Sequence, residues 1–219
     1  FPASDITRKV VEGRDPVDPI LAEARKNYQL LVLGATERPE QREALFHPLI
    51  DEMVRLSPCP TLVVHGGPGE RNLPPKRLLV PTNGSIASRN AAELAFHLAT
   101  EEDEEVVILS VVQQLGMFSQ LGADTQIGER ELEARQQIGD ELAERGRVHG
   151  AHTRGKVEVG VTVVPSILET ALEEEVDLIL LGTDIRPGSE RLFLGPRVED
   201  ILDNAPCPVI VVNWVSGVS

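Results

Sequence analysis

Two histidines three residues apart, His149 and His152, could face one metal ion, and two cysteines, Cys59 and Cys207, could act as thiols. Their surroundings argue against both. The histidines sit in "RVHGAHTRG", a helix end running into a loop, which reads as solvated turn histidines, so no metal site is expected. Each cysteine stands between prolines just ahead of an apolar run, in "SPCPTLVV" and "APCPVIVV", where a small buried hydrophobe is the expected role. Neither belongs to a CxxC pair or to ligand spacing, which fits a reducing compartment and no structural zinc. The acidic stretches "EEDEE" (101–105) and 129–144 read as solvated faces. There is no phosphate-binding P-loop, no GxGxxG, no GxSxG and no HExxH. With no nucleophile–base pair to assign, no catalytic residue is expected and the chain is read as a non-enzyme.

What remains is a repeat. "LLVLGATERPEQREALFHPLIDEMVRLSPCPTLVV" occupies 30–64 and "LILLGTDIRPGSERLFLGPRVEDILDNAPCPVIVV" occupies 178–212. Gly34 falls over Gly182 and Cys59 over Cys207, 148 residues apart in both cases. One supersecondary unit has been used twice.

The elements that would carry these residues alternate between strand and helix. "RLLVPTN" (77–83) predicts a short apolar strand, and 85–103 predicts a helix with Ser85 or Ser88 as its N-cap and Ala91, Leu94, Ala95 and Leu98 on one face. "EVVILSVV" (105–112) predicts a second strand, followed by a loop with Gly116 and Gly122 and a polar helix over 126–147. A third strand is expected at 156–164, a helix at 166–175, a fourth strand at 177–182, a helix within 190–205 and a last strand at 208–212. Continuously apolar strands separated by helices point to a parallel sheet covered on both faces, and right-handed crossovers make it doubly wound. The fold class expected is therefore α/β, a five-stranded doubly wound sheet over 76–213.

Residues 1–65 repeat only the second half of that pattern. "ITRKVVEG" (6–13) matches strand three, 15–26 matches helix three with Asp15 and Pro16 at its start, "QLLVLG" strand four, 41–57 helix four and "PTLVV" strand five. The Gly- and Pro-rich stretch 66–75 reads as a linker, and 214–219 as a tail. The first copy lacks the strands that would lie between its third and fourth, and the expectation is that about seventy residues, set by one repeat period, belong upstream.

A formal charge of −14 argues against nucleic acid or an anionic membrane as partner, since both carry the same sign. No apolar run is long enough to insert in a bilayer, and the N-terminus has no secretory apolar region. A cytoplasmic location is expected, with the cytosolic face of a membrane as the variant discussed below.

"LLVPTNGSIAS" at 78–88 and "LGTDIRPGSERLFLGPRVEDILDNAPCPVIVV" at 181–212 resemble the opening and closing signatures of the universal stress protein family. The resemblance runs through 76–213 and, as a half copy, through 6–65. It implies a five-stranded α/β domain of the adenine nucleotide alpha hydrolase type, used in tandem, with nucleotide at the carboxyl ends of strands one and four. Open parallel sheets bind ligands in that place as a rule.

The candidate cofactor-binding residues are Pro81 and Asn83 after strand one, and Gly182, Thr183, Gly188, Arg191, Gly195 and Arg197 after strand four, with Gly182 and Gly195 at the first and third glycine positions that the resemblance implies. Glycines there would let backbone N–H groups approach a phosphate, with a helix N-terminus behind them. This chain departs from the pattern. Asn83 replaces the aspartate, Ile185 the middle glycine, and Pro196 the Ser or Thr that follows the last glycine. Arg186, Arg191 and Arg197 could supply cationic contacts. In the first copy only Gly34 survives, while Glu37, His47 and Pro48 take the other positions. The losses predict no ATP at the first copy. At the second they predict no resident cofactor, with ATP or another adenine nucleotide as the alternative.

The resemblance implies two functions. One is a non-enzymatic regulatory module whose nucleotide motifs have degenerated. "VVEGRDP…LLVLGATE" is similar to the cytosolic tails of cation/proton antiporters, which would make the partner a covalently attached transporter. The alternative is a stand-alone tandem stress protein that senses an adenine nucleotide through its second domain. In either case the last strands offer unpaired apolar edges, and Val63–Val64 and Val211–Val212 are expected to pair, within the chain as a pseudo-dimer or across a homodimer.

Overall fold

The computed structural model describes residues 6–11, 15–35, 46–66, 74–113, 125–183 and 194–214, apart from the side chains of 125–128. Five strands of the second copy are β3 (Arg77–Pro81), β4 (Glu105–Gln113), β5 (His152–Gly160), β6 (Leu178–Thr183) and β7 (Val209–Asn213). They lie side by side in the order β5-β4-β3-β6-β7, all parallel. Helices α3 (Ile86–Leu98), α4 (Thr125–Val148), α5 (Val163–Glu173) and α6 (Pro196–Asn204) connect them. This is the doubly wound α/β order expected for a chain of apolar strands with right-handed crossovers.

The first copy adds α1 (Val17–Ala24), β1 (Leu31–Ala35), α2 (Pro48–Leu56) and β2 (Thr61–His65). β1 and β2 pair in parallel, Leu31 opposite Thr61, as β6 and β7 pair with Ile179 opposite Val209. β2 then runs antiparallel to β7, with Leu62 opposite Val212, Val63 opposite Val211 and Val64 opposite Ile210. Of the two arrangements the sequence allowed, the structure has the intramolecular one. Among the described residues seven strands form one continuous sheet, β1-β2-β7-β6-β3-β4-β5.

Period-2 alternation along the strands sorts the core into two layers. Leu79, Val107, Leu109, Ile179, Leu181, Val209 and Val211 face α1, α2, α5 and α6, through residues such as Leu21, Met53, Ile167 and Ile201. Leu78, Val80, Val106, Ile108, Leu180 and Val212 face α3 and α4, through Ala91, Ala92, Ala95, Phe96 and Leu142. With so few aromatics the core rests on many aliphatic contacts, each fully buried Leu, Ile or Val stabilising by about 1.5–3 kcal/mol. Cys59 and Cys207 are buried in it as expected of small hydrophobes, and burial pushes the Cys207 thiol up to about 12.

Two sequence expectations are corrected. Residues 6–11 of the expected strand 6–13 form no strand; residues 12–13 lie outside the described residues. A strand needs a ladder partner, and the strand that would pair there has no counterpart in this sequence. Lys9 instead pairs with Glu23 on α1. In the second copy β5 spans 152–160 rather than 156–164, and Val163 and Val164 open α5. Glycine and histidine at 152–155 read as a turn, but β4 offers nine backbone partners, from Glu105 opposite His152 to Gln113 opposite Gly160. Tertiary pairing overrides local propensity here.

The other boundaries shift by a few residues. Pro16, rather than Asp15, holds the N-cap position of α1, and Asp15 Oδ1 accepts from the Val17 N–H at 2.9 Å just ahead of the helix. His149 closes α4 against Phe96 and His97, and His152 opens β5. Among the described residues no cluster of His, Cys, Asp and Glu could hold a metal ion. No described helix is long and apolar enough to cross a membrane.

Candidate functional site

A cleft of about 220 Å³ opens at the carboxyl ends of β3, β4 and β6. Its wall on one side is the turn between β3 and α3. Thr82 Oγ1 accepts from the Gly84 N–H (3.1 Å) and bonds Ser88 Oγ (2.9 Å). Asn83 Oδ1 accepts from the Ser85 N–H (3.0 Å) and from Ser88 Oγ (3.3 Å). Ser85 is the N-cap of α3, its Oγ accepting from the Ser88 N–H at 3.3 Å. The turn therefore satisfies its own backbone donors at Gly84, Ser85 and Ser88, and the residue types "TNGSIAS" account for it locally.

The floor is apolar, with Leu109 and Val111 from β4, Val163 and Ile167 from α5, and Val198 from α6. Charge enters from two helices. Arg135 on α4 donates through Nη1 to the Asn83 carbonyl (3.1 Å), and its Nη2 lies 3.6 Å from Glu131. Arg197, in the first turn of α6, lines the opposite side. Behind the turn, Arg89 donates to the Gly84 carbonyl (3.2 Å) and forms a two-pronged pair with Glu141 (2.7 and 3.2 Å), fastening α3 to α4. The hydrogen bond from Arg89 holds the Glu141 carboxyl below its usual range.

Of the residues singled out from the sequence, Pro81, Asn83, Gly182 and Arg197 line this cleft together. Thr183 is buried at the end of β6, opposite Asn213, and does not line it. Gly195 caps α6 from behind, its carbonyl accepting from Val198 (3.1 Å) and Glu199 (3.2 Å). Gly188, Arg191, Ile185 and Arg186 lie outside the described residues. Sequence reasoning missed Arg135 and Glu131, which are far from Asn83 in sequence and carry no local signature.

Gly182 has a structural reason of its own. A Cβ there would stand 1.9 Å from the Ala87 carbonyl oxygen and 2.7 Å from the Ser88 nitrogen. The first turn of α3 lies directly on β6 because residue 182 has no side chain. Its repeat partner Gly34 meets nothing within 4 Å, since the first copy has no described helix in the place that α3 takes against β6.

The cleft offers a ligand cationic, polar and apolar contacts. Its described lining holds hydroxyls that bond one another and the loop, two guanidinium groups and one carboxylate, but no histidine, cysteine or lysine.

The family model of universal stress proteins matches residues 2–65 and 75–213. The chain belongs to the universal stress protein family. A family member from Methanocaldococcus jannaschii is 34% identical over 141 residues, covering 63% of this chain and 82% of that protein. A Mycobacterium tuberculosis universal stress protein is 28% identical over 219 residues, covering 96% of this chain and 66% of that one. Among solved structures, a universal stress protein from Archaeoglobus fulgidus superposes with a TM-score of 0.56 at 21% identity, over 90% of this chain and 66% of its own. The universal stress protein UspA of Lactobacillus plantarum gives 0.54 at 21% identity, over 66% of this chain and 99% of its own. At that identity the two structures support the fold of this universal stress protein chain and nothing finer.

Proposed function

We propose that this universal stress protein chain is a non-catalytic regulatory module that binds an adenine nucleotide weakly in the cleft of its second copy. The observation that carries the reading is the position of the cleft, at the carboxyl ends of the central strands β3 and β6, with Asn83 and Arg197 on its walls. A parallel sheet places ligands there because loops diverge and helix N-termini converge at that end. The apolar floor suits a flat base and the guanidinium groups suit phosphate. Weakness follows from the replaced residues. Pro196 removes one N–H and a hydroxyl from the first turn of α6, and each lost hydrogen bond to a charged group costs about 1.5–3 kcal/mol. Two such losses move a micromolar dissociation constant toward the millimolar range.

Calorimetric titration with ATP and a hydrolysis assay test the reading. We expect binding in the high micromolar to millimolar range, no hydrolysis, and tighter binding in the double variant Ile185→Gly, Pro196→Ser. Micromolar binding by the unaltered chain, or turnover, would contradict it.

The unit so regulated, on this reading, is a membrane cation/proton antiporter whose cytosolic tail includes residues 1–65 as a half copy and 76–213 as a complete one. The reading is motivated by the wording of the first copy, "VVEGRDP…LLVLGATE", and by nothing finer. Reading the gene around the chain tests it: several apolar spans of about twenty residues are expected in the same open reading frame. A frame without them would favour a stand-alone cytoplasmic sensor.

A further inference from the structure

We propose that Arg135 on α4 is the charge contact by which this cleft selects phosphorylated ligands, and that Glu131 sets its strength by competing for the same guanidinium. The inference rests on the cleft being the ligand site. Arg135 lines the cleft beside Asn83, and its Nη1 donates to the Asn83 carbonyl at 3.1 Å. That bond holds the guanidinium at the carboxyl end of β3 with one of its five N–H groups used. Nη2 lies 3.6 Å from Glu131 Oε1, an ion pair too long for a hydrogen bond. Among the described residues Arg135 makes no other polar contact, so donors and charge are left for a ligand.

Glu131 stands one turn before Arg135 on α4, the i, i+4 spacing that puts both side chains on one face. The Glu131 and Arg135 side chains are 46% and 26% exposed, and an ion pair so open to water is weak. A phosphate carries more charge and presents two oxygens at once to the planar guanidinium, so it displaces the single long contact to Glu131. Glu131 is also the one carboxylate among the described lining residues, and its charge repels an anion in the cleft. An uncharged ligand meets neither the attraction nor the repulsion. Arg135 and Glu131 thus act in opposite directions on an anion and leave a neutral ligand alone. Neither belongs to the turn after β3 or to the segment after β6; α4 carries both to the cleft.

The phosphate could belong to a nucleotide or to a free phosphate compound, and titrations of the whole chain with ATP, adenosine and sodium pyrophosphate separate them. Calorimetry gives affinities for the parent, Arg135→Gln, Arg135→Lys and Glu131→Gln, and nitrogen–proton correlation spectra locate binding through the Asn83, Gly84 and Ser85 backbone amides. We expect Arg135→Gln to weaken ATP and pyrophosphate about tenfold or more, the loss of a hydrogen bond between charged groups. Arg135→Lys should recover part of that loss, because it keeps the charge without the fork. Glu131→Gln should tighten both anions about threefold, the size of an exposed charge interaction. Adenosine affinity should not change. If Arg135 merely supported the turn at Asn83, losing its ion pair to Glu131 would weaken binding or leave it alone, so the direction of the Glu131→Gln effect is decisive. Unchanged ATP binding in Arg135→Gln, an equal loss for ATP and adenosine, or unchanged or weaker ATP binding in Glu131→Gln overturns the inference and leaves the nucleotide reading intact. Pyrophosphate binding that depends on Arg135, with no gain from the adenosine moiety of ATP, upholds the inference and overturns the nucleotide reading. If neither anion shifts the amides up to about 10 mM, both fall. Should Arg135→Gln not fold, Glu131→Gln decides in the direction given.

Discussion

Val63 is paired with Val211, its own counterpart in the 148-residue repeat. The pairs around it mirror each other, Leu62 with Val212 and Val64 with Ile210, so an approximate two-fold axis passes between the two valines. A unit whose last strand ends in an unguarded apolar edge has covered that edge with its own duplicate. The edge then no longer presents free backbone donors and acceptors to other chains.

Both valines are almost wholly buried at this junction. Val63→Ala and Val211→Ala should each lower unfolding stability by about 1–3 kcal/mol, from lost burial and the cavity left behind. A double-mutant cycle in urea should show a coupling of about 0.5–1 kcal/mol, since the residues are direct cross-strand neighbours. Strict additivity would mean that the two halves do not meet in this register.

Gly182 and Gly34 hold the same place in the repeat and should respond oppositely to alanine. At 182 the new Cβ overlaps the Ala87 carbonyl, so the α3 backbone must move, and a loss of about 3 kcal/mol is expected with weakened ligand binding. At 34 the space is open, and alanine should stabilise by about 0.5 kcal/mol by restricting the unfolded chain. Paired denaturation curves check the contrast.

Gly195 has φ +93° and ψ 151°, a backbone region that is nearly glycine-only. Its Cβ would meet nothing within 4 Å, so the whole cost of Gly195→Ala is backbone strain, about 1–3 kcal/mol. The counterpart His47, at φ −57°, caps α2 with its side chain instead. His47→Ala should cost only about 1 kcal/mol, the value of a cap. Thermal unfolding of both variants would separate strain from capping.

Glu174 bonds Lys156 (3.1 Å) and Arg154 (2.6 Å) across from Glu105, which also holds Arg154 (2.7 Å). The Lys156 bond, then the charge of Arg154, hold the Glu174 carboxyl below its usual range. A depressed carboxyl contributes stability that is present above its unfolded pKa and is lost as pH falls through the folded one. Acid denaturation should therefore draw on Glu174 below the ordinary carboxylate range, and Glu174→Gln should lower stability at neutral pH and flatten the acid slope. An unchanged slope in pH-dependent urea titrations would show that the pair is neutral to folding.

The sequence by itself determined the order of the elements, the repeat and the faces that are buried. Those properties are local: apolar periodicity states which side of a strand or helix leaves water, and the constant spacing of 148 made the ladder of β1–β2 a copy of β6–β7. The signature around Asn83 also placed one wall of the cleft, because Thr82, Asn83 and Ser85 bond within their own turn. Tertiary structure alone decided the rest. It drew β5 back to His152 because β4 supplied partners, and it left 6–11 without a ladder because none was supplied. It brought Arg135 to the Asn83 carbonyl across 52 residues of chain. It also gave Gly182 a packing reason under Ala87 that its match to a phosphate-loop position did not suggest. These contacts join distant segments, and a pattern read along one chain segment carries no information about which surface will be laid against it.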